Sequence, residues 1–478
     1  MMQINNGEKN MLANYQKHPD PLLNGNPLSE SLQVILEKSE VLSRLKKDHP
    51  TTSTFKDLPK FYQKTQVNHF RMVIAPHPQS FFLYQKIMEL ILCGYINRNP
   101  FSAANTQLRT MIAENAKNGT YNPDLNLTFG MTSAPSCLIT GLSGSSKTTT
   151  ARSVLSLIPQ FIQHEQFEGR PFMQPQLTYI SFDCAATSSP KALALSFFAA
   201  VDSVLNTKYF ITWEKRTRDS VERFYANMQL VAARHHIGLI HIDEVQFFLK
   251  YSSSKNSPNL IILESLFNKI GIPVILSCTL EGLDLFQPTQ SGDISKLPDM
   301  TTTRRMISER EFVFGTYPLD SKEFNEIFDA FFPSEICIGD KPSDKFKETF
   351  HRLSAGIPAI INRLARLHHE QVVTVGRNIT DDIETLNKVY KSQFRHIDFA
   401  LQQIRTSNTA KQPSSTQIEN YEKRLPRAES GHADWNDKNT SEKSHIKSEP
   451  QVPDMPEYGS ADARDNAVST DDDFDIGI

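Results

Sequence analysis

Residues 137–148 read Cys137-Leu138-Ile139-Thr140-Gly141-Leu142-Ser143-Gly144-Ser145-Ser146-Lys147-Thr148. A short apolar run stops at a Gly/Ser-rich loop, and a helix-forming stretch, Thr149–Leu157, follows. The pattern approximates G-x-x-x-x-G-K-[ST], the phosphate-binding loop set between a strand and a helix. In such a loop, backbone N–H groups and the N-terminus of the next helix cradle phosphate oxygens. The expected nucleotide contacts are Gly141, Leu142, Ser143, Gly144, Ser145, Ser146, Lys147, Thr148 and Thr149. Lys147 should reach the β- and γ-phosphates, and Thr148 should ligate Mg²⁺ through its hydroxyl. One position departs: Ser146 stands where glycine is usual. A chance Gly/Ser loop, or a loop that binds nucleotide but hydrolyses it poorly, are the competing readings.

A second motif lies downstream, Leu239-Ile240-His241-Ile242-Asp243-Glu244. It reads as a buried strand ending in two carboxylates. Adjacent residues of a strand point to opposite faces, so one acid can serve a metal and the other a water molecule. Asp243 is the expected Mg²⁺ partner and Glu244 the group that polarises the attacking water. His241 interrupts the apolar run and reads as a packed histidine.

Short apolar strands alternate with longer helical stretches on either side. Leu177–Phe182, Ile237–Ile242, Val274–Cys278 and Phe312–Phe314 are strand candidates, and 191–206, 217–235 and 258–271 are helix candidates. Such alternation implies a parallel sheet covered on both faces. Upstream, residues 1–50 read as a polar lead-in with one helix around Ser29–Leu45, followed by helices over Phe81–Tyr95 and 101–117. From Ser321 to Gln403 the pattern is helical throughout, with Ser321, Ser343 and Thr380 as candidate N-caps. Beyond Arg405, Ser, Asn, Asp, Glu, Lys and Pro dominate, a composition expected of disorder. The expected organisation is an α/β P-loop core with a parallel sheet at 126–318. A mostly helical N-terminal region (1–125) precedes it, a small helical lid (319–404) follows, and an acidic, disordered tail (405–478) ends the chain.

Bulk properties narrow the class. The 478 residues are 39% hydrophobic and 22% charged, which is ordinary for a chain with a real core. The net charge of −3 hides an asymmetry, because residues 405–478 hold 9 of the 51 Lys/Arg but 15 of the 54 Asp/Glu. The body is therefore weakly basic, which permits contact with nucleic acid without requiring it. Five cysteines with no C-x-x-C pair argue against a disulfide framework and a zinc site. Most of them, Cys93 and Cys137 among them, read as small core residues. Neither a signal peptide nor a membrane span is expected, and the cytoplasm is the expected compartment.

Three further features have roles in AAA+ proteins. Thr279, at a strand end, sits where a polar residue helps position water; an ordinary strand-end threonine is the alternative. Arg304 and Arg305 could supply a trans-acting arginine to a neighbouring subunit's γ-phosphate. Arg363, after Gly356-Ile357-Pro358, resembles the nucleotide-sensing arginine of the lid, with surface ion pairing as its alternative. A basic cluster, Lys208, Lys215, Arg216, Arg218 and Arg223, is interleaved with Tyr209, Phe210 and Trp213, and Lys250 and Lys255 add to it. It could track a DNA backbone, although a solvated helix face reads equally well.

Taken in order, several stretches resemble the TnsC family, the AAA+ regulators of Tn-seven-type transposons related to the TniB helper ATPases. They are Gly94-Tyr95-Ile96-Asn97-Arg98-Asn99-Pro100, Leu138–Thr149, Ile162-Gln163-His164-Glu165, Phe182-Asp183-Cys184, Leu195–Asp202, Ile242-Asp243-Glu244-Val245-Gln246, Gly271-Ile272-Pro273-Val274 and Gly356-Ile357-Pro358. The resemblance spans about residues 80–380. It implies an ATP- and Mg²⁺-dependent ATPase that forms rings or filaments on double-stranded DNA. It also implies a link between a target-selector protein, met by the N-terminal region, and transposase and endonuclease subunits, met by the tail. A helicase loader or replication initiator, and a non-hydrolysing nucleotide-gated scaffold, are the alternatives.

Overall fold

Short apolar strands with helices between them assemble, in the computed structural model, into a parallel sheet with a helical layer on each face. The structure describes residues 10–32, 35–50, 54–122, 134–184, 189–247, 266–267, 270–280, 282, 310–376 and 379–410. The expected helix over 258–271 and the tail beyond Ala410 lie almost wholly outside these residues.

The N-terminal region contributes β1 (Asn10–Leu12) and helices α1 (Pro27–Glu30), α2 (Lys38–Leu45), α3 (Lys60–Asn68), α4 (Ser80–Ile96) and α5 (Ala103–Asn118). The single helix expected over Ser29–Leu45 is instead two, α1 and α2. Side chains at the end of α1 are claimed by distant partners. The Glu30 carboxylate accepts from the Gly25 N–H at 2.6 Å and Lys17 Nζ at 2.8 Å, and Ser31 Oγ donates to Gln176 Oε1 at 2.8 Å. Those bonds fix the end of α1 through contacts that helix propensity alone does not supply.

The central strands are β2 (Ser136–Gly141), β7 (Tyr179–Asp183), β8 (Leu239–Asp243), β9 (Val274–Ser277) and β10 (Arg310–Phe314). Their order is β10-β2-β9-β8-β7, all parallel. After β2 the chain crosses to β7 at the edge, returns through β8 and β9, and then places β10 on the far side of β2. The carboxyl end of β2 is thus a topological switch point, where ligands of open α/β sheets bind. The strand expected over Leu177–Phe182 divides at Thr178, whose N–H is held by the Gln160 carbonyl at 3.0 Å. Residues before the break, β6 (Pro175–Leu177), pair with β3 (Phe161–Gln163) and through it β1 in a separate small sheet; a hairpin of β4 (Gln166–Phe167) and β5 (Arg170–Pro171) intervenes.

Alternation along the strands sends side chains to two cores. Leu138, Ile240, Ile242 and Leu276 pack with α7 (Pro190–Leu205), α9 (Val221–Arg234) and α5. The expected helix over 217–235 starts later, because Ser220 caps α9; a separate short helix, α8 (Tyr209–Glu214), lies before it. On the other face Cys137, Ile139, Leu239 and Phe312 pack with α4 and with α6 (Lys147–Leu155). Cys93 faces solvent, not the core, because it lies on the outward side of α4.

Gly94 and Tyr95 explain why α4 sits so close to the sheet. A Cβ on Gly94 would lie 2.9 Å from Pro273 Cδ. The Tyr95 hydroxyl donates to the His236 carbonyl at 2.9 Å, and Arg98 donates to the carbonyls of Gly94 and Ile237 at 2.9 and 2.6 Å. Arg98 is buried without a carboxylate partner among the described residues; burial draws its pKa down to about 10, and backbone carbonyls satisfy its donors.

The lid comprises α10 (Lys322–Phe331), α11 (Asp344–Ser354), α12 (Pro358–Val375), α13 (Ile383–Gln393) and α14 (Asp398–Ala410), the last running past the expected boundary at 404. Ser321 and Ser343 cap α10 and α11 as expected, but Asp382 rather than Thr380 caps α13. The Thr380 hydroxyl instead accepts from the Ile338 N–H at 2.7 Å. The lid core is rich in phenylalanine, and it includes Phe55, Val67, Phe70 and Val73 from the N-terminal region. That region therefore has no single core of its own: α4 belongs to the sheet, and residues 55–73 belong to the lid. Among the described residues no helix is long and apolar enough to cross a membrane.

Candidate functional site

The loop after β2 begins at Gly141, whose φ of 146° and closeness to the Phe314 carbonyl of β10 leave no room for a side chain. Gly144 follows with φ 80°, and its carbonyl accepts from the Ala359 N–H of α12 at 3.1 Å. The loop and the first turn of the lid helix are therefore joined by backbone. Ser146 adopts φ 69° and ψ 16°, a left-handed conformation that explains why glycine is usual at this place. Helix α6 starts at Lys147, so its first N–H groups face the loop's interior.

Lys147 Nζ donates to the carbonyls of Gly141 and Leu142 at 2.9 and 2.8 Å. Burial lowers its pKa from the ordinary lysine value, against the pull of Asp243, Cys278 and Glu244. Asp243 is also buried; its Oδ1 accepts from the Glu244 N–H at 2.9 Å, while Oδ2 has no hydrogen-bond partner. The hydroxyls of Ser145 and Thr279 are likewise buried and unpartnered. A buried carboxylate oxygen without a donor, beside Thr148 and a lysine, is the donor set that a magnesium nucleotide requires.

Glu244 follows at φ 58°, a backbone conformation rare for a residue with a side chain. Its carboxylate accepts from the Gln246 side-chain amide, and Gln246 Oε1 accepts from the Thr279 N–H at 3.2 Å. Gln246 thus ties the acid at the end of β8 to the polar residue after β9. His241 is fully buried, hydrogen-bonded to Ser181 and Ser277, each at 2.8 Å. It links β7, β8 and β9 behind the carboxylates, and burial holds it neutral with a pKa near 4.

These groups open on one cavity of about 720 Å³, lined by Ser143, Gly144, Ser146, Lys147, Thr148, Thr149, Asp243, Glu244, Thr279 and Arg363. Leu142 instead borders a neighbouring apolar groove of about 840 Å³ between the loop and α14. Arg363 has a structural tie besides the one expected: it donates to the Gln393 carbonyl at 3.1 Å and stacks over Phe394 at 4.8 Å. Arg304 and Arg305 lie outside the described residues.

The cavity also takes residues that the motifs did not mark. Arg152, in the second turn of α6, pairs with Asp183 and stands 4.0 Å from Asp243 Oδ2. Lys47 and Arg71 enter from the N-terminal region, Arg366 from α12 and Tyr317 from the stretch after β10. The register that sets Asp183 beside Asp243 is a property of the fold, and among these residues only Arg366 carried a signal in the sequence, its helical spacing from Arg363.

Of the basic cluster, Lys208, Arg216 and Arg223 line a shallow groove of about 540 Å³ with Lys117, Trp213 and Asn227. Arg216 stacks over Trp213 at 4.9 Å, and Arg216 and Arg223 approach Asp219 at 3.6 and 3.7 Å. Lys215 and Arg218 are exposed but do not line the groove, and Lys250 and Lys255 lie outside the described residues.

The AAA domain family matches residues 131–286. Among solved structures, the Walker-type ATPase of Pyrococcus abyssi is similar at 12% identity and TM-score 0.35, over 67% of this chain and 75% of that one. The RuvB Holliday junction branch migration motor of Thermotoga maritima is similar at 13% identity and TM-score 0.28, over 60% and 68%. No curated protein matches the chain in sequence. The phosphate-binding loop at the switch point, the paired carboxylates on β8, the strand order and the domain match agree, and the chain carries an AAA-type ATPase domain on a P-loop fold.

Proposed function

We propose that the cavity binds ATP with Mg²⁺ and hydrolyses it, and that the bound nucleotide governs assembly of the protein on duplex DNA as a regulator of transposition. The observation that carries the enzymatic part is the convergence of Lys147, Thr148, Asp243, Glu244 and Thr279 on one cavity. Backbone N–H groups of the loop and of α6 hold the phosphates, and the Lys147 ammonium, released from two carbonyls, supplies charge to them. Thr148 and Asp243 would hold magnesium, which when bound neutralises charge on the phosphate oxygens. Glu244 orients a water towards the γ-phosphorus and takes its proton as ADP leaves.

The DNA part rests on the resemblance of residues 80–380 to the TnsC family, supported by the groove of Lys117, Lys208, Arg216 and Arg223. Such a surface binds phosphates with little sequence preference and a strong salt dependence. On this reading target-selector, transposase and endonuclease proteins are its partners, and hydrolysis resets the assembly. The test is particle size and duplex binding with ATP, with ADP and without nucleotide, imaged by negative stain, alongside phosphate release. Rings or filaments only with ATP and duplex support the reading. A particle indifferent to both refutes it. Phosphate release no faster than that of Glu244→Gln would leave a nucleotide-gated scaffold, and capture of a replicative helicase would favour a loader.

A further inference from the structure

Lys47 and Ile74 pair their backbones at 3.0 and 2.9 Å, forming a loop that carries Arg71, Val73 and Ala75 along one wall of the nucleotide cavity. The wall is anchored to the lid and not to the sheet. Phe70 is fully buried in the lid core, stacks on His369 at 5.3 Å, and its carbonyl accepts from Asn362 Nδ2 at 2.9 Å. Arg71, the next residue, is exposed on the cavity side, so its position follows from that of a fixed neighbour.

Arg366 lines the same cavity from α12, one helical turn beyond Asn362. Its Nε is buried and has no hydrogen-bond partner. Burial lowers its pKa, Arg71 and Arg363 lower it further by repulsion, and Glu370 on the same helix offsets part of this. Among the described residues no carboxylate lies within ion-pair distance of either guanidinium. Two arginines that line one cavity and repel each other, one with an unused donor, form an arrangement that an anion bound beside both would stabilise. A guanidinium fork matches phosphate oxygens in geometry as well as in charge.

We propose that Arg71 is a nucleotide-binding residue which, with Arg366, closes on the polyphosphate of a nucleotide held by the loop after β2. The inference rests on the reading of that cavity as an ATP site. It makes the N-terminal region part of the site: the loop, α12 and Arg71 all touch one ligand.

The experiment measures binding of ATP, ADP and adenosine to the full chain by calorimetry, for wild type, Arg71→Ala, Arg71→Lys, Lys60→Ala and Lys147→Ala. A charge-assisted hydrogen bond predicts that Arg71→Ala weakens ATP binding by roughly ten- to a hundredfold. Arg71→Lys should fall between the two. Lys60, on the same segment but reaching the Thr374 carbonyl outside the cavity, should behave as wild type. Adenosine affinity should not change in Arg71→Ala. Wild-type ATP affinity in Arg71→Ala, with Lys147→Ala impaired, overturns the role of Arg71 and leaves the ATP site standing. Equal losses for ATP and adenosine overturn the phosphate assignment. A wild-type chain that binds no nucleotide overturns the site and the inference together.

Discussion

Replacing Gly238 by alanine tests the packing that positions β8. A Cβ there would lie 2.5 Å from the Tyr95 hydroxyl oxygen and closer still to the Thr178 carbonyl. Neither neighbour is free to move. The Gly238 N–H donates to the Leu177 carbonyl at 2.8 Å, which pins the strand edge, and the Tyr95 hydroxyl is committed to the His236 carbonyl at 2.9 Å. Forcing a methyl group into a packed interior costs about 1–3 kcal/mol. Displacing the tyrosine leaves a buried hydroxyl and a carbonyl unpaired, at about another 1–3 kcal/mol. The expected loss is about 4 kcal/mol, read from urea denaturation followed by far-ultraviolet circular dichroism. Tyr95→Phe removes the oxygen that the new methyl meets, so Gly238→Ala should cost less in that background, with a coupling energy of at least about 1 kcal/mol. A single variant within about 1 kcal/mol of wild type, or a cycle additive to about 0.5 kcal/mol, would refute the reasoning. Because Gly238 leads directly into β8, which ends at Asp243, the folded variant should also bind nucleotide more weakly.

Glu244→Gln should slow phosphate release by roughly 10²- to 10⁴-fold while ATP affinity in calorimetry stays within a few-fold. At Ser146, where φ is 69°, Gly should be more stable than Ala by about 1 kcal/mol in thermal unfolding, since both lack the hydroxyl and only alanine keeps the strain. Arg363→Ala should lower lid stability, seen as faster amide exchange in α13, with less loss of ATP affinity than Arg366→Ala, because Arg363 is tied to Gln393 and Phe394. Burial holds His241 and His368 neutral with pKa values near 4, and His369 near 3. Their folded pKa values lie below the unfolded value, so the unfolded chain binds more protons between pH 6.5 and 4. Stability is therefore full above about pH 6.5 and falls on acidification, each histidine adding up to about 1.4 kcal/mol per pH unit. A melting temperature unchanged between pH 7 and 5 would contradict this.

What could be read from the chain without coordinates was local. The phosphate loop and the Asp243-Glu244 pair announce themselves because their chemistry needs particular residues at fixed spacing next to a strand. The strand cores were legible for the same reason, as short apolar runs with clear stops. Arg71 and Arg152 were not, because each reaches the cavity through a fold contact that spans many residues, whereas Arg366 could be placed on the helix face of Arg363. The break of the strand at Thr178 depends on the Gln160 carbonyl, and the division of α1 from α2 depends on Lys17 and Gln176; neither is a propensity of the segment itself. Gln246 was visible as the residue trailing the acids, but its bridge from Glu244 to Thr279 needs β8 and β9 side by side.

The place of Phe70 in the lid has a consequence for how the chain is made. Its ring meets Phe331 at a centroid distance of 5.6 Å, so a residue from the first hundred waits for one from the last third. At the usual pace of translation that interval is on the order of tens of seconds. Through it, Phe55, Val67 and Phe70 remain an apolar surface without its match, open to a chaperone or to a second nascent chain. Residues 55–73 make local contacts of their own, such as Gln63 to the Phe55 carbonyl, but the ribosome releases them long before their lid partners exist. The segment that forms a wall of the nucleotide cavity is therefore among the last to settle, and the cavity is completed only when synthesis has passed the lid.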